Sequence, residues 1–218
     1  SHVATVPFGN IIYYMSRKIN AKYIVDVVDL WPESFVAYGL ISKNNLFVKI
    51  AYFFERKLYE NADKIVFSME GGRDYIIDKG WDLASGGKID LTKVFYINNG
   101  VDIKDFDFNK ENFRVDDNDL KNDNIFKVIY VGSIRLANNL KQLIDAAEIL
   151  KKEKNIRFYL YGDGEDRVFL ENYCKDKNID NVFFKQKWLE LKYIPYILSK
   201  SSLNILNYKN SSILKYGG

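Results

Sequence analysis

The chain has 218 residues, of which 47% are hydrophobic and 28% are charged, a composition typical of one or two globular domains. Its formal net charge of +3 is too small to favour a nucleic-acid groove. A single cysteine excludes an internal disulfide, and with a single histidine it also excludes a zinc site of the usual Cys/His type. A Ser-His-Asp triad would depend on His2. No apolar run is long enough to predict a membrane span, so we expect a cytoplasmic protein.

The first half of the sequence alternates helical and strand patterns. Apolar residues at helical spacing predict helices at 8–19, 45–62 and 71–79. Nearly continuous apolar runs, typical of buried parallel strands, predict strands at 22–28, 64–68 and 93–97. Pro32 follows the first strand and ends it, because proline cannot donate to a sheet ladder. Glu55 and Arg56 on the long helix are interpreted as a solvated face or a structural pair.

The second half follows a change in composition. Residues 103–125 are rich in Asp, Asn and Lys and have few apolar residues in register, which predicts a surface connection. Strands are then predicted at 126–131, 156–161, 182–185 and 203–207, and helices near 138–153, 165–177 and 189–200. This alternation predicts an α/β fold with parallel sheets. We expect one partial domain at 1–104, a connection at 105–125 and a second partial domain at 126–218.

Two glycine-bearing turns carry the most informative signal. Strand 126–131 runs into Gly132, and strand 156–161 runs into Gly162-Asp-Gly164, and each turn precedes a predicted helix. Helix N-termini offer unpaired N–H groups and a positive dipole end to an anion. The carboxyl ends of parallel strands lie at the edge of the sheet where doubly wound folds bind ligands. The two turns therefore predict a site for a phosphate-bearing nucleotide.

Five short motifs occur in an order and spacing that resemble glycosyltransferase family 4, in particular members that build bacterial capsule and O-antigen polysaccharides. The motifs are Asp29-Leu-Trp-Pro-Glu-Ser34, Ala62-Asp-Lys-Ile-Val66, Asn99-Gly-Val-Asp102, Tyr130-Val-Gly-Ser133 and Tyr161-Gly-Asp-Gly164. The resemblance implies the GT-B fold, in which two Rossmann-like domains face each other across a cleft. The acceptor would bind the N-terminal domain, and the nucleotide-sugar would bind the C-terminal domain.

The resemblance also implies an activity. We expect retaining transfer of a hexosyl or N-acetylhexosaminyl group from a nucleotide-diphosphate donor, with a UDP-sugar as the expected donor. The acceptor would be a surface polysaccharide or a lipid-linked glycan. No cofactor, obligatory metal or nucleic-acid partner is expected, and the resemblance allows for peripheral association with the inner face of the membrane.

Both domains are expected to be incomplete, because the resemblance places further segments outside this sequence. A first βαβ unit would precede Ser1. A segment with two glutamates that hold the donor sugar and the ribose would follow Gly218. We therefore expect weak retention of nucleotide diphosphate by this chain and no measurable transfer.

The resemblance assigns eight residues to the donor side. They are Gly132, Ser133, Arg135, Asn138, Gly162, Asp163, Gly164 and Lys187. Arg135 is favoured as an anion ligand because an exposed guanidinium beside a helix start suits a diphosphate. Asn138 is interpreted either as a phosphate ligand or as a plain helix N-cap. Trp188 is interpreted as a packing residue rather than as a stacking platform, and Cys174 as inert.

On the acceptor side, Asp29 is the candidate catalytic carboxylate, because it follows a strand at its carboxyl end. Many relatives have His-Asp here, whereas this chain has Val28 before Asp29, which favours acceptor positioning over base catalysis. Glu33 is a second candidate, although a glutamate that starts a helix is favoured by the helix dipole alone. Ser68 is interpreted as an N-cap or as a contact for an acceptor phosphate.

Two other functions stay open. A non-catalytic nucleotide-sugar-binding or assembly subunit is consistent with the missing histidine before Asp29. A sugar-nucleotide 2-epimerase shares the same two-domain fold. That enzyme would need additional acid/base residues and histidines in its cleft, and this sequence offers only His2.

Overall fold

The chain folds into two compact units in a computed structural model that describes residues 6–217. His2, on which a catalytic triad would depend, lies outside the described residues. The first unit contains the chain up to Gly100 and the segment from Asn210 onward, and the second contains Val101–Lys209. Each unit has its own parallel sheet. The predicted α/β fold with two parallel-sheet units is therefore confirmed, whereas the predicted cleft stays a prediction.

The first unit is built on a three-stranded parallel sheet in the order β1-β2-β3. Its strands are β1 (Ile24–Val27), β2 (Lys64–Phe67) and β3 (Val94–Tyr96). Its helices are α1 (Val6–Lys18), α2 (Glu33–Ala37), α3 (Leu46–Asn61) and α4 (Gly72–Asp78). Alternate strand residues such as Val25, Val27, Ile65 and Phe67 are buried in one core, as the period-two geometry of a strand requires. The short helix α2 begins at Glu33, in agreement with the interpretation of this residue as a helix start, although no bounds were predicted for the helix.

The second unit has a four-stranded parallel sheet in the order β6-β5-β4-β7. Its strands are β4 (Phe126–Val131), β5 (Ile156–Tyr161), β6 (Val182–Phe184) and β7 (Leu203–Asn204). Its helices are α5 (Ile103–Asn112), α6 (Asn118–Lys121), α7 (Leu140–Ile149), α8 (Arg167–Asp176) and α9 (Ile194–Ser199). Side chains from both faces of β4 and β5 are buried, in two separate clusters. This double burial explains the continuous apolar runs of the two strands.

The segment predicted as a surface connection contains structure of its own. Residues 103–125 form α5 and α6, and Leu120 is fully buried. Lys185 also forms ion pairs with Asp117 and Asp119, at 2.9 and 2.6 Å, and ties α6 to the end of β6. The segment was expected to be a poor core element. It contributes Leu120 and Ile125 to the buried residues, and so few apolar residues produce no periodic pattern.

The end of the chain also lies elsewhere than expected. Residues from Asn210 onward belong to the first unit. Tyr216 is buried there, its hydroxyl donates to Asp78 at 2.9 Å, and its carbonyl accepts from the N–H of Gly71 at 2.8 Å. Sequence reading assigned these residues to the second domain because they directly follow its last strand.

Among residues 6–217, no helix has both the length and the apolar character needed to cross a membrane.

Candidate functional site

The two glycine turns of the second unit lie against each other. The N–H of Gly132 donates to the carbonyl of Tyr161 at 3.0 Å, and the N–H of Ile134 donates to the backbone carbonyl of Asp163 at 2.9 Å. The carbonyl of Ile134 accepts in return from the N–H of Asp166 at 3.1 Å. The predicted adjacency of the turns is therefore confirmed, because parallel neighbours β4 and β5 end at the same edge of the sheet.

Only glycine fits at two positions of this contact. Gly162 has φ +127°, and a Cβ atom there would lie 1.9 Å from the carbonyl oxygen of Gly132. A Cβ atom on Gly164 would lie 2.2 Å from the carbonyl oxygen of Ile134. Both distances are far inside van der Waals contact, so the glycines are required for the two backbones to approach each other.

A third loop joins the pair through a buried arginine. The N–H of Gly162 donates to the carbonyl of Gln186, just after β6, at 2.9 Å. Arg167 is buried, and its guanidinium donates to the carbonyls of Gly162 and Lys185 and to the carboxylate of Glu171. Sequence reading missed Arg167, although an arginine directly after Gly-Asp-Gly-Glu-Asp at a helix start was a usable signal.

The far end of the Gly132 turn is held by residues that follow β7. The side-chain amide of Asn207 donates to the carbonyls of Asn138 and Asn139 at 2.8 and 2.9 Å. The N–H of Lys209 donates to the carbonyl of Ala137 at 2.7 Å. Sequence reading also missed Asn207, because nothing local marks an asparagine that bonds to residues almost 70 positions earlier. The turn is thus fixed at both ends.

Asn138 is not an N-cap. It ends a 3₁₀ turn, Leu136–Asn138, and the residue that precedes α7 is Asn139, whose backbone is left-handed at φ 45°. Asn139 makes no side-chain cap hydrogen bond either, and its amide donates to Gln142. The N-cap interpretation of Asn138 was therefore wrong. Its role as a phosphate ligand stays a prediction, as does that of the exposed Ser133.

Arg135 is the exposed cation of the first turn. Its side chain is 62% exposed, and its Nε lies 3.7 Å from a carboxylate oxygen of the equally exposed Glu165. Such a surface pair contributes little free energy, so the guanidinium can turn to another anion. Lys141, the other base near the turn, pairs with Asp145 at 2.8 Å. Arg135 is therefore better placed than Lys141 to meet a ligand.

Other exposed side chains surround the three loops. Asp163 and Lys187 are both exposed, and Gly162 and Gly164 are partly buried. Trp188 has 77% of its surface exposed, so the interpretation of this residue as a packing residue was wrong.

Burial raises the pKa of Asp166, and the neighbouring Glu165 raises it further. Burial also raises the pKa of the Cys174 thiol to about 11, which agrees with an inert cysteine.

In the first unit, Asp29 is exposed just beyond the carboxyl end of β1. Ser34, which is buried at the start of α2, has its Oγ 2.8 Å from Oδ1 of Asp29 and 2.6 Å from the carbonyl oxygen of Leu30. A hydroxyl has one proton, so Ser34 donates to one of these acceptors at a time. Sequence reading missed Ser34 as a residue that positions Asp29.

Glu33 is the first residue of α2, as the helix-start interpretation expects, and its carboxylate has partners. It accepts hydrogen bonds from the hydroxyl of Tyr52, at 2.6 Å, and from the ammonium of Lys79. Partial burial raises the pKa of Glu33, but the bonds from Lys79 and Tyr52 more than offset this effect, so the pKa is lowered overall. A predicted acceptor substrate that binds Glu33 would have to share its carboxylate with Tyr52 and Lys79.

Ser68 and Glu55 differ from their predicted environments. The hydroxyl of Ser68 donates to the carbonyl of Val28 at 3.2 Å, and α4 begins four residues later after Gly71, so the N-cap interpretation was wrong. Glu55 is 1% exposed and accepts hydrogen bonds from Tyr59 and Tyr75, whereas it was expected on a solvated face or in a structural pair with Arg56. The adjacent Arg56 forms an ion pair at 2.8 Å with Glu60, whose side chain is only 8% exposed.

Among the described residues, no group of three or more His, Cys, Asp or Glu side chains is arranged to hold a metal ion. The candidate functional site consists of two separate groups of residues. One is the set of three loops in the second unit, and the other is Asp29 with Ser34 in the first unit.

Residues 111–210 match the family model of Glycosyl transferases group 1. This segment runs from the end of α5 to just beyond β7, so it contains all three loops of the second unit. A comparison with curated proteins gave no match.

Solved structures share the fold at low sequence identity. Anabaena HepE in complex with UDP is 15% identical, with a TM-score of 0.64 over 94% of this chain and 52% of that chain. The OtsA apo structure is 12% identical, with a TM-score of 0.66 over 97% of this chain and 52% of that one. WaaG, a glycosyltransferase involved in lipopolysaccharide biosynthesis, is 13% identical, with a TM-score of 0.60 over 86% and 50%. The chain spans about half the length of these proteins.

Proposed function

We propose that this chain is part of a glycosyltransferase and that its second unit binds the diphosphate of a nucleotide-sugar. The observation that carries the proposal is the junction of the Gly132, Gly162 and Gln186 loops at the carboxyl edge of a parallel sheet. The match of residues 111–210 to Glycosyl transferases group 1 supports it. HepE was solved with UDP and with UDP-glucose, which makes a UDP-sugar the first donor to test.

The chemistry would rest on positioning and charge. In glycosyl transfer from a nucleotide-sugar, negative charge develops on the departing diphosphate, and fixed N–H groups and a guanidinium stabilise that charge. The start of the ten-residue helix α7, which follows the Gly132 turn, and the side chain of Arg135 would stabilise this charge. No metal is needed for this arrangement, and retention of configuration is part of the proposal.

In the first unit, Asp29 would position the acceptor hydroxyl, and Ser34 would hold the Asp29 carboxylate in place. Glu33 and Ser68 would lie next to the acceptor. We propose a surface polysaccharide or lipid-linked acceptor of the capsule or lipopolysaccharide type, built on the cytoplasmic side of a membrane. The family 4 resemblance supports this acceptor class, and WaaG is an example of a similar fold in lipopolysaccharide biosynthesis.

A second candidate is a nucleotide-sugar-binding subunit without transfer activity. The observation that favours it is Val28, which stands where many family 4 members have a histidine beside the carboxylate. A 2-epimerase is less well supported, because the described residues contain no histidine to serve as an acid or a base.

Calorimetry of the full-length protein with UDP, UDP-glucose and UDP-N-acetylglucosamine, followed by an assay for slow hydrolysis of each sugar nucleotide, separates these functions. Binding with hydrolysis supports a transferase, and binding without hydrolysis supports the subunit. Conversion of UDP-N-acetylglucosamine to its 2-epimer would support the epimerase. Absence of binding to all three ligands at millimolar concentration would contradict the proposed donor site.

A further inference from the structure

Lys185, the residue that directly follows β6, has partners for its N–H, its carbonyl and its ammonium. The N–H donates to the carbonyl of Leu160 on β5 at 2.8 Å. The carbonyl accepts from the guanidinium of Arg167, the first residue of α8, at 2.9 Å. The ammonium lies 2.9 Å from Asp117 and 2.6 Å from Asp119, at the start of α6. A single residue is therefore bound to β5, α8 and α6 at the same time.

These contacts hold the end of β6 from both faces of the sheet. The ammonium of Lys185 lies 5.1 Å from the centre of the Tyr159 ring, on the face where Tyr159 and Leu120 are buried. Helix α8, which begins with Arg167, covers the other face, because its Leu170 belongs to the other buried cluster. Residues that end a strand are ordinarily tied down on one side, so this double attachment fixes the direction in which the following loop leaves the sheet.

The ion pair between Lys185 and Asp117 is sheltered from water. The two side chains are only 17% and 11% exposed. Asp117 also accepts from the hydroxyl of the buried Tyr161 at 3.3 Å and from the N–H of Asp119 at 2.9 Å. Burial raises the pKa of Asp117, but the hydrogen bonds from Lys185 and the other donors more than offset this effect, so the pKa is lowered overall. Removal of the ammonium would leave a sheltered carboxylate without its counter-ion, which is costly.

The residue after Lys185 belongs to the candidate site. The carbonyl of Gln186 accepts from the N–H of Gly162 at 2.9 Å, and Arg167 donates both to Gly162 and to Lys185. We call the Gly132, Gly162 and Gln186 loops the donor loops. A shift of Lys185 would move the Gln186 carbonyl and release the Gly162 N–H. Since a displacement of about 1 Å is enough to impair a binding geometry, the position of Lys185 matters to the donor loops although its side chain points away from them.

We propose that Lys185 is a positioning residue of the donor loops, and that through it the α6 segment (residues 117–121) and nucleotide bound at those loops stabilise each other. The inference rests on the proposed function, because it takes a nucleotide diphosphate as the ligand of the donor loops. Coupling of this kind is reciprocal. Any change that loosens the α6 segment weakens nucleotide binding, and bound nucleotide in turn makes the α6 segment more ordered.

The test combines calorimetry with UDP and amide hydrogen exchange, both on the full-length protein. Lys185→Met removes the ammonium and keeps an apolar stem of similar length. We expect faster exchange in the Gly162 and Gln186 loops and in the α6 segment, and about tenfold weaker UDP binding. Lys185→Arg keeps a cation that can bind both carboxylates, so it should retain most of the UDP affinity and the slow exchange of the parent.

Two further variants keep the test decisive if Lys185→Met folds poorly. Asp119→Asn alters a partly exposed carboxylate and removes only the 2.6 Å ion pair, so it should fold and show a smaller change in the same direction. Lys154→Met is the matched control, because it breaks an exposed ion pair with Asp180 in the same unit. Surface pairs of that kind contribute little, so this variant should leave UDP affinity and loop exchange unchanged.

Exchange in the parent with and without UDP provides the readout that a merely structural ion pair would not move. UDP should slow exchange in the α6 segment of the parent and have less effect there in Lys185→Met. If the parent binds UDP and the folded Lys185→Met and Asp119→Asn variants bind it equally tightly, the inference alone is overturned, and Lys185 only holds the unit together. A parent that does not bind UDP would contradict the proposed function, and the inference would fail with it.

Discussion

The hydroxyl of Tyr75 donates to Glu55 at 3.0 Å, and the other carboxylate oxygen accepts from Tyr59 at 2.9 Å. Both tyrosines and the glutamate are buried in the first unit. Burial raises the pKa of Glu55 to about 8, although the two hydroxyls and the nearby Lys79 act in the opposite direction. At neutral pH the carboxyl group is therefore mostly protonated, because hydrogen bonds from two neutral hydroxyls do not offset the free-energy cost of burying a charged carboxylate.

The first prediction concerns stability against pH. The folded pKa of Glu55 is raised, so its contribution is fully present below the ordinary pKa of 4.5 and is lost as pH rises through 8. The slope approaches about 1.4 kcal/mol per pH unit between these values. Urea unfolding of the parent and of Glu55→Gln at pH 5, 7 and 9 measures the difference. Glu55→Gln should be less sensitive to pH, and the exposed Glu153→Gln should match the parent. Equal slopes in all three proteins would refute it.

The second prediction concerns the contact between the glycine turns. Gly162→Ala places a Cβ atom 1.9 Å from the carbonyl oxygen of Gly132 and also adopts a positive φ. We expect a loss of about 2–4 kcal/mol in the free energy of unfolding and a weaker UDP affinity. Gly86→Ala is the matched control, because Gly86 has φ +82° but open space around its Cβ position.

Gly86→Ala should lose only about 1 kcal/mol, the cost of the backbone conformation alone. Urea unfolding gives the stability of both variants, and calorimetry gives their affinity for UDP. If the two variants lose the same stability, close packing of the turns has no energetic role and the contact between them is incidental.

How much of this architecture could be predicted depends on the range of the interactions. The bounds of β4 and β5 agree with prediction, because buried parallel strands leave an unbroken local apolar run. The adjacency of the Gly132 and Gly162 turns followed from the same alternation. Asn207, which holds the Gly132 turn, was missed because its partners are distant carbonyls, and a carbonyl has no sequence signature. Arg167 was missed although its position directly after the second glycine turn was a usable signal, because its contact with the carbonyl of Lys185 joins two separate loops.

The errors have related physical causes. Glu55 looks like any exposed glutamate on a helix until Tyr75, twenty residues later, is packed against it. Trp188 was expected to pack because tryptophan usually does, but no local pattern records that the loop after β6 points it into solvent. Sequence periodicity does not reveal residues whose partners lie on other helices, strands or loops.

The third prediction concerns the buried guanidinium. Arg167→Lys keeps the charge but cannot donate at once to Gly162, Lys185 and Glu171, because an ammonium lacks the planar fork. We expect a loss of about 2–4 kcal/mol in unfolding free energy and faster hydrogen exchange in the Gly162 and Gln186 loops. Arg114→Lys, at an exposed position in the same unit, is the control. Unchanged exchange in both loops would show that Arg167 does not tie them together.

The last prediction concerns the exposed cation of the donor loops. Arg135→Ala should weaken UDP binding by about 1–3 kcal/mol, the range for a hydrogen bond to a charged group. The guanidinium loses only its weak surface contact with Glu165 when it turns to a diphosphate. The effect should therefore shrink as salt is added, because the contact is solvent-exposed. Calorimetry at two salt concentrations measures this dependence, with Arg114→Ala as a control of equal charge change. If both arginine variants weaken UDP binding equally, the effect is one of overall charge, and Arg135 is an ordinary surface residue.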